Sequence, residues 1–572
     1  VSITEIGLAL ASCAVVMALV AWWSFRQASE DVSTRDGYFL AGRHLGGLFI
    51  AGSLLLTNLS AEQLIGLNGS AYGFDMSSMA WEVTAALATI AMALIFLPRY
   101  LASAFTTLPE FLASRFDRDV QRLSVILFML GYGLVTIPSI LYSGSIAVIR
   151  LFDIPELFGI SQFEALVVTI LVIGSIGAVY AVFGGLKAVA VSDTLNGVGL
   201  LIVGALVPVL GLIALGEGDL LSGLRTLLSE HPDKLNAIGG EQSPIPFGTI
   251  FTGMIFANLF YWCANQYVIQ RTLAARSLAE GQKGVLLSGF FKILVPFFMM
   301  IPGVIAFHLY GPGLASIDQA YPALIRDVFP VWMMGFFLAV LFGAVFSSFN
   351  SLLNSAATMF TLDIYAPMRK TALSEQQTVR IAMIASVVIA LFSFCVAPLL
   401  WFAPEGLWQV IRIFTGFYNI PIVVIVLVGL FARHTPAMAA KIVIIFHVIT
   451  YGLLKFALAD WVTLHFLHIY AILFVIEVAI MLLAGRIAPR QQAWQLEDNH
   501  LVDMTPWRHA RPVAFTLLSL VVLLYLVFSP IGLASEAPGP GFYLALTALA
   551  AANIACWLWA GRGPQSSRDE RS

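Results

Sequence analysis

The stretch NLSAEQLIGLNGSAYGFDMSSMAWEV (58–83) lies between two apolar runs, LGGLFIAGSLLLT (45–57) and TAALATIAMALIFL (84–97). Asn58, Ser60, Glu62 and Gln63 interrupt what otherwise reads as a membrane-crossing helix, and Glu82 stands at the head of the next one. A carboxylate at the centre of a bilayer costs about 2.5–3.5 kcal/mol even on insertion scales. Something must offset that cost. Broken backbone and polar groups are tolerated at this depth where they line a cavity. Gly66, Gly69 and Gly73 close the stretch, which therefore predicts a broken helix facing a solute pathway. The competing reading, amides and hydroxyls that only bond neighbouring helices, suits one such residue better than five together.

Composition carries the same message. Of 572 residues, 59% are hydrophobic and 11% charged, against about 25% charged in a soluble domain. Lipid is the expected solvent for most of the surface. A net charge of −3 with no basic tract argues against nucleic acid as a partner. Cys13, Cys263, Cys395 and Cys556 all sit in apolar runs without C-x-x-C spacing, and are expected to be small hydrophobes. The first apolar run lacks a basic lead and follows Glu5, so it is expected to be a retained span. No P-loop and no glycine-rich turn after a strand occurs, which argues against ATP-driven pumping.

A membrane-crossing helix needs about 20 apolar residues. By that measure there are fifteen candidates, near 5–25, 46–72, 79–98, 122–150, 161–182, 190–215, 247–269, 284–310, 330–361, 379–403, 407–431, 438–457, 463–485, 512–530 and 541–560. Every odd-numbered exit is basic, from Arg26, Arg35 and Arg43 after the first span to Arg562 after the last. Arg115 and Arg118, Lys187, Arg271 and Arg276, Arg369 and Lys370, Arg433 and Lys441, and Arg486 and Arg490 follow the odd spans between. The even exits are poor in Lys and Arg; the longest, 216–246, is acidic. Positive charge marks the cytoplasmic side, so the N-terminus is expected outside and the C-terminus inside.

A second interrupted span, NLFYWCANQ (258–266), opens the seventh helix. Two interrupted spans, each opening a group of five, outline an inverted repeat. The expected division is a flanking helix and cytoplasmic loop (1–45), a first five-helix unit (46–215), an external loop (216–246), a second unit (247–431) and flanking helices with a tail (432–572).

The motifs YFLAGR (38–43), NLSAEQLIG (58–66), FGGLKAV (183–189), NLFYW (258–262), NQYVIQRTLAARS (265–277) and FSSFNSLLNSAATMFTLDIY (346–365) resemble the sodium/solute symporter family. The likeness runs from about 38 to 530 and is nearest to the sodium–sugar cotransporter branch, typified by a bacterial sodium/galactose symporter. It implies an all-α membrane protein with a LeuT-like core of two inverted five-helix repeats, embedded in lipid in a bacterial inner membrane. It also implies no enzymatic activity, but import of a hexose by alternating access, driven by Na⁺.

The resemblance places the sugar on Gln63, Glu82, Asn258 and Lys292, with Tyr261, Trp81 and Trp408 as gates. Chemically this is sound, because amides and carboxylates take adjacent hydroxyls in paired bonds. Sites built on hydrogen bonds also reject solutes that lack the hydroxyl. One departure stands out: Arg412 replaces a sugar-contacting glutamine. Arg412 is expected either to pair with Glu82, or to receive an acidic sugar (uronic or sulfonated) together with Lys292. A purely structural arginine is the bland alternative. The resemblance places Na⁺ on the carbonyls of Leu56, Leu59 and Ala344 and the hydroxyls of Ser347 and Ser348, with Asp193 as the coupling carboxylate. A proton-coupled carrier titrating Glu62 or Asp193, and a non-transporting sugar sensor, are the rival readings. Glu477, His447 and Lys455 are expected to be packing or interfacial residues.

Overall fold

The computed structural model describes residues 3–28, 34–314, 317–402, 407–496, 498–535 and 537–561. Within them the chain is helical apart from turns, loops and two isolated bridges, Leu45 with Ala275 and Ser277 with Asp503. Twelve of the described helices are long and apolar enough to cross a membrane, thirteen if one bent pair counts as a single span. The remaining two of the fifteen expected spans, 5–25 and 247–269, contain the shorter apolar helices Leu10–Ser24 and Gly253–Cys263.

The bent pair is the stretch that opened the sequence analysis. Gly47–Asn58 and Ala61–Gly73 meet at 61°. Ser60 between them is extended, at φ −95° and ψ 169°, the backbone expected of a serine just before a helix. The amides of Gln63 and Leu64 both donate to Ser60 O, at 3.1 and 3.2 Å, and so restart the helix. The second interruption is built alike. Gly253–Cys263 stops at Ala264, Asn265 is extended, and Gln266–Leu273 resumes. That break is why the 247–269 span is short.

Gln162–Val179 and Val189–Leu215 form two spans. Gly177 faces Phe346 and Phe349, while Asn196 faces Gly343. A straight helix would separate Gly177 from Asn196 by about 28 Å at 1.5 Å per residue, far more than the spacing of their partners. The helix Gln162–Leu215 is therefore not straight between the two spans.

Val331–Met359 is the central pillar. In its span 89% of the most apolar window is buried, against 28–33% for Glu375–Phe402, Ala437–Ala457 and Phe466–Ile487 and 0% for Pro540–Ala560. The core thus sits around the two broken helices, and the later helices flank it. Backbones nearly touch where Ile301–Tyr310 crosses Ala61–Gly73: a Cβ on Gly303 would lie 2.1 Å from Asn68 O. Small residues let membrane helices meet backbone to backbone. Gly303→Val is expected to push the second half of the first broken helix away, destabilising by about 1–3 kcal/mol; thermal unfolding in detergent measures the loss.

Candidate functional site

Both breaks open onto one cavity, lined by Gln63, Trp81, Glu82, Asn258, Tyr261 and Lys292 among others. Glu82 lies in the short helix Ala80–Val83, entered through a 3₁₀ turn whose first amides are capped by Asp75, which accepts from Ser77 N at 2.9 Å. Its Oε1 accepts from Gln63 Nε2 at 3.1 Å, and its Oε2 pairs with Lys292 Nζ. Lys292 and Glu82 are 1% and 3% exposed. Their desolvation is a large cost that close pairing and extra bonds must offset. Gln63 supplies one such bond, and the Trp262 ring, 5.7 Å from Nζ, adds a cation–π contact. Asn258 Nδ2 donates to Thr84 Oγ1 at 2.8 Å.

The cavity is rich in acceptors. Gln63 Oε1, Ser60 Oγ and Asn419 Oδ1 are buried without a hydrogen-bond partner, and all three residues line it. Buried polar atoms are rarely left so; a solute carrying hydroxyl donors would satisfy them. Asn419 and Thr415, both lining the cavity, were not among the residues expected from sequence. The signal was present: Thr415 and Asn419 follow Arg412 at i+3 and i+7, on one face of the same helix.

Aromatic rings close the space. Tyr261 meets Tyr267 edge-on at 5.8 Å, and Tyr267 meets Tyr132 at 5.7 Å. Trp81 is stacked on Phe466 of a flanking helix, 6.4 Å apart at 14°. The side chains of Trp408 and Arg412 lie outside the described residues. Of the two roles expected for Arg412, pairing with Glu82 meets a carboxylate already held by Lys292 and Gln63, and the shared anion clamp meets a Lys292 engaged by Glu82.

Of the oxygens expected to hold Na⁺, Ser348 Oγ and Leu56 O come together. At the first break the amide of Ser60 turns to Asn58 O at 3.1 Å instead of continuing the helix to Leu56 O. Ser348 Oγ takes its place, reaching Leu56 O at 3.2 Å and Thr57 O at 3.4 Å. Ser347 Oγ is buried near the Asp193 carboxylate, and Leu56, Leu59 and Ala344 are at most 1% exposed. Serine hydroxyls beside a carbonyl released from its helix are a donor set that suits a small hard cation. Among the described residues no cluster of His, Cys, Asp and Glu fits a transition metal.

Asp193 is buried and accepts from Ser53 Oγ at 2.6 Å. Arg271 Nε donates to the same hydroxyl at 3.1 Å, and its terminal nitrogen pairs with Ser351 Oγ. Ser351 in turn donates to Ser347 O at 2.6 Å. Arg271, expected as a loop charge, is therefore fully buried and links the carboxylate to the cation oxygens. Arg115, counted the same way, is buried too, its guanidinium donating to Gly429, Ala432 and Thr435 carbonyls.

Two broken helices around a polar cavity, with carbonyl and hydroxyl oxygens gathered at one break, define a secondary transporter of LeuT-like fold. The chain belongs to the sodium:solute symporter family, whose model matches residues 38–445. It is 43% identical over 511 residues to an uncharacterized symporter, YidK of Escherichia coli, covering 89% of each chain. It is 30% identical over 451 residues to the sodium/glucose cotransporter of Vibrio parahaemolyticus, covering 75% of this chain and 81% of that one. The solved substrate-bound, outward-open structure of a Na⁺-coupled sialic acid symporter superposes with a TM-score of 0.73 at 21% identity, over 85% of this chain and 99% of that one. That match shows the fold. The protein is an integral membrane Na⁺-coupled symporter, not an enzyme, and its E. coli relative places it with transporters of the bacterial inner membrane.

Lys292→Met leaves the Glu82 carboxylate buried and unpaired. The expected loss is about 3–5 kcal/mol, and the double variant with Glu82→Gln is expected to recover most of it; a double-mutant cycle of thermal unfolding in Na⁺-containing detergent measures the coupling.

Proposed function

We propose that this symporter imports a neutral hexose together with Na⁺. The observation that carries the reading is the cavity chemistry: a carboxylate neutralised by Lys292, set among the partnerless acceptors of Gln63, Ser60 and Asn419. Such a lining asks for several hydroxyl donors and offers no uncommitted cation among its described side chains to an anionic group. The name of the Vibrio relative, a sodium/glucose cotransporter, points to the same class.

On this reading Gln63, Glu82, Asn258 and Lys292 hold the sugar, with Thr415 and Asn419 completing the set. Arg412 stands at the cavity helix as a candidate contact. Tyr261, Trp81 and Trp408 gate the space. Na⁺ is held by Leu56, Leu59 and Ala344 carbonyls and by Ser347 and Ser348, and Asp193 senses its charge through Ser53, Arg271 and Ser351. The division at 46–215, 216–246 and 247–431, with the N-terminus outside and the C-terminus inside, fits the alternation of basic connections.

Alternating access then follows from where the ion sits. It bridges the first broken helix and the pillar, and the sugar touches both broken helices, so filling one site pre-forms the other. One charge crossing about 100 mV is worth about 2.3 kcal/mol, and a tenfold ion gradient adds about 1.4 kcal/mol. Together they support a few-hundred-fold accumulation.

The test is uptake into proteoliposomes of D-glucose, D-galactose and D-glucuronate under a Na⁺ gradient. Hexose uptake should require Na⁺, and glucuronate should not compete; competition by glucuronate would favour the acidic-sugar reading, and uptake driven by a proton gradient alone would overturn Na⁺ coupling. Gln63→Ala is expected to raise the hexose KM about 10–100-fold, the worth of a bond in a charged network. Ser348→Ala is expected to raise the half-saturating Na⁺ concentration about tenfold while leaving the hexose KM at saturating Na⁺ near wild type.

A further inference from the structure

Outside the core, a histidine and a glutamate are buried together where lipid-flanked helices have little reason to hold either. His447, on Ala437–Gly452, and Glu477, on Phe466–Ile487, have fully buried side chains, with Nδ1 and Oε1 2.6 Å apart. The other ring nitrogen, Nε2, lies 2.9 Å from Gly416 O. A carbonyl only accepts, so Nε2 carries hydrogen and donates. One further proton is shared between Nδ1 and Oε1, and the pair is neutral as a unit, which limits its cost in a membrane.

Gly416 is a singular point on Leu407–Phe431. A Cβ there would lie 2.3 Å from Tyr451 Oη and 2.6 Å from Tyr470 Oη. Tyr451 also stacks on His447, 5.5 Å apart at 15°. Five residues on, Pro421 sits inside the helix; it has no N–H, so the carbonyl of Phe417 loses its helical donor. A glycine and a proline this close make a place where the helix bends readily. The same turn carries Thr415 and Asn419, which line the cavity.

From this geometry we infer that His447 and Glu477 are positioning residues for the substrate. Glu477 fixes the imidazole, the imidazole bolts the flexible turn at Gly416, and the bolt holds Thr415 and Asn419 towards the cavity. The inference rests on the cavity being the sugar site. It gives the flanking helices a part in substrate recognition beyond packing, reached without touching the solute.

The experiment has two arms on the full-length chain. In the first, Asn419→Cys is labelled with 2-aminoethyl methanethiosulfonate in Na⁺ detergent solution, against the parent protein whose own cysteines set the background. Adding His447→Phe should speed labelling about tenfold, the worth of one strong buried bond, and His447→Gln, whose amide reaches the same carbonyl, should restore it towards the starting rate. In the second arm, with Asn419 intact, His447→Phe should raise the KM for D-glucose uptake by a similar factor with the maximal rate held within about twofold. If His447→Phe fails to fold, Glu477→Gln should move both readouts the same way by less. Labelling unchanged by His447→Phe, or by Glu477→Gln in its place, overturns the inference whatever uptake shows. Absent D-glucose uptake in the wild type defeats the sugar reading instead and leaves the labelling arm to decide.

Discussion

A carbonyl that has lost its helix is the feature on which the rest of this structure turns. In a bilayer every backbone polar group must find a partner inside the protein, and a break at mid-membrane removes several partners at once. At the first break Leu56 O is met by Ser348 of the pillar helix. At the second, Cys263 O accepts from Tyr100 Oη at 2.6 Å, and Asn265 is held by Tyr132. Each break is therefore stabilised by side chains from distant parts of the chain. The breaks persist only while those elements surround them, which couples local backbone shape to the arrangement of whole helices. On the proposed reading, a cation at Leu56 would take over a role that a serine hydroxyl already plays.

The charges obey the same logic. Glu82 with Lys292, and Asp193 with Arg271 through Ser53, keep opposite charges buried near each other on elements that are far apart in sequence. Such pairs are weak as a source of stability and strong as a specification of geometry, since losing either partner leaves the other exposed to a low dielectric. The first pair shapes the cavity. The second ties Ser347 of the pillar to the second half of the second broken helix, Gln266–Leu273, through Ser351. If ion and solute bind as proposed, they act on a shared set of elements, and this sharing is the physical content of symport.

Much of this was legible in the sequence where polar residues cluster. Asn58 to Gln63 announced the first break because no lipid-facing helix carries such a group, and NLFYWCANQ announced the second. What escaped were residues whose role is set by long-range contact. Asn419 and Thr415 share a helix face with Arg412, and only the fold shows that the two meet the cavity. Arg271 and Arg115 looked like cytoplasmic loop charges because a basic residue beside a span end reads the same whether it faces water or is folded back against carbonyls. The pairing of Glu82 with Lys292 could not be read from spacing, since the two are 210 residues apart. Glu477 and His447 were read as packing residues, and their joint hold on Gly416 depends on three helices converging.

The central claim is that ion and solute share the broken-helix joint, so each must strengthen the other's binding by one common factor. Titrate the purified symporter with D-glucose at saturating Na⁺ and in choline, then with Na⁺ in the presence and absence of saturating D-glucose. The two affinity ratios should agree, and both should exceed unity by about fivefold or more. D-glucose binding of equal strength in Na⁺ and choline would contradict it.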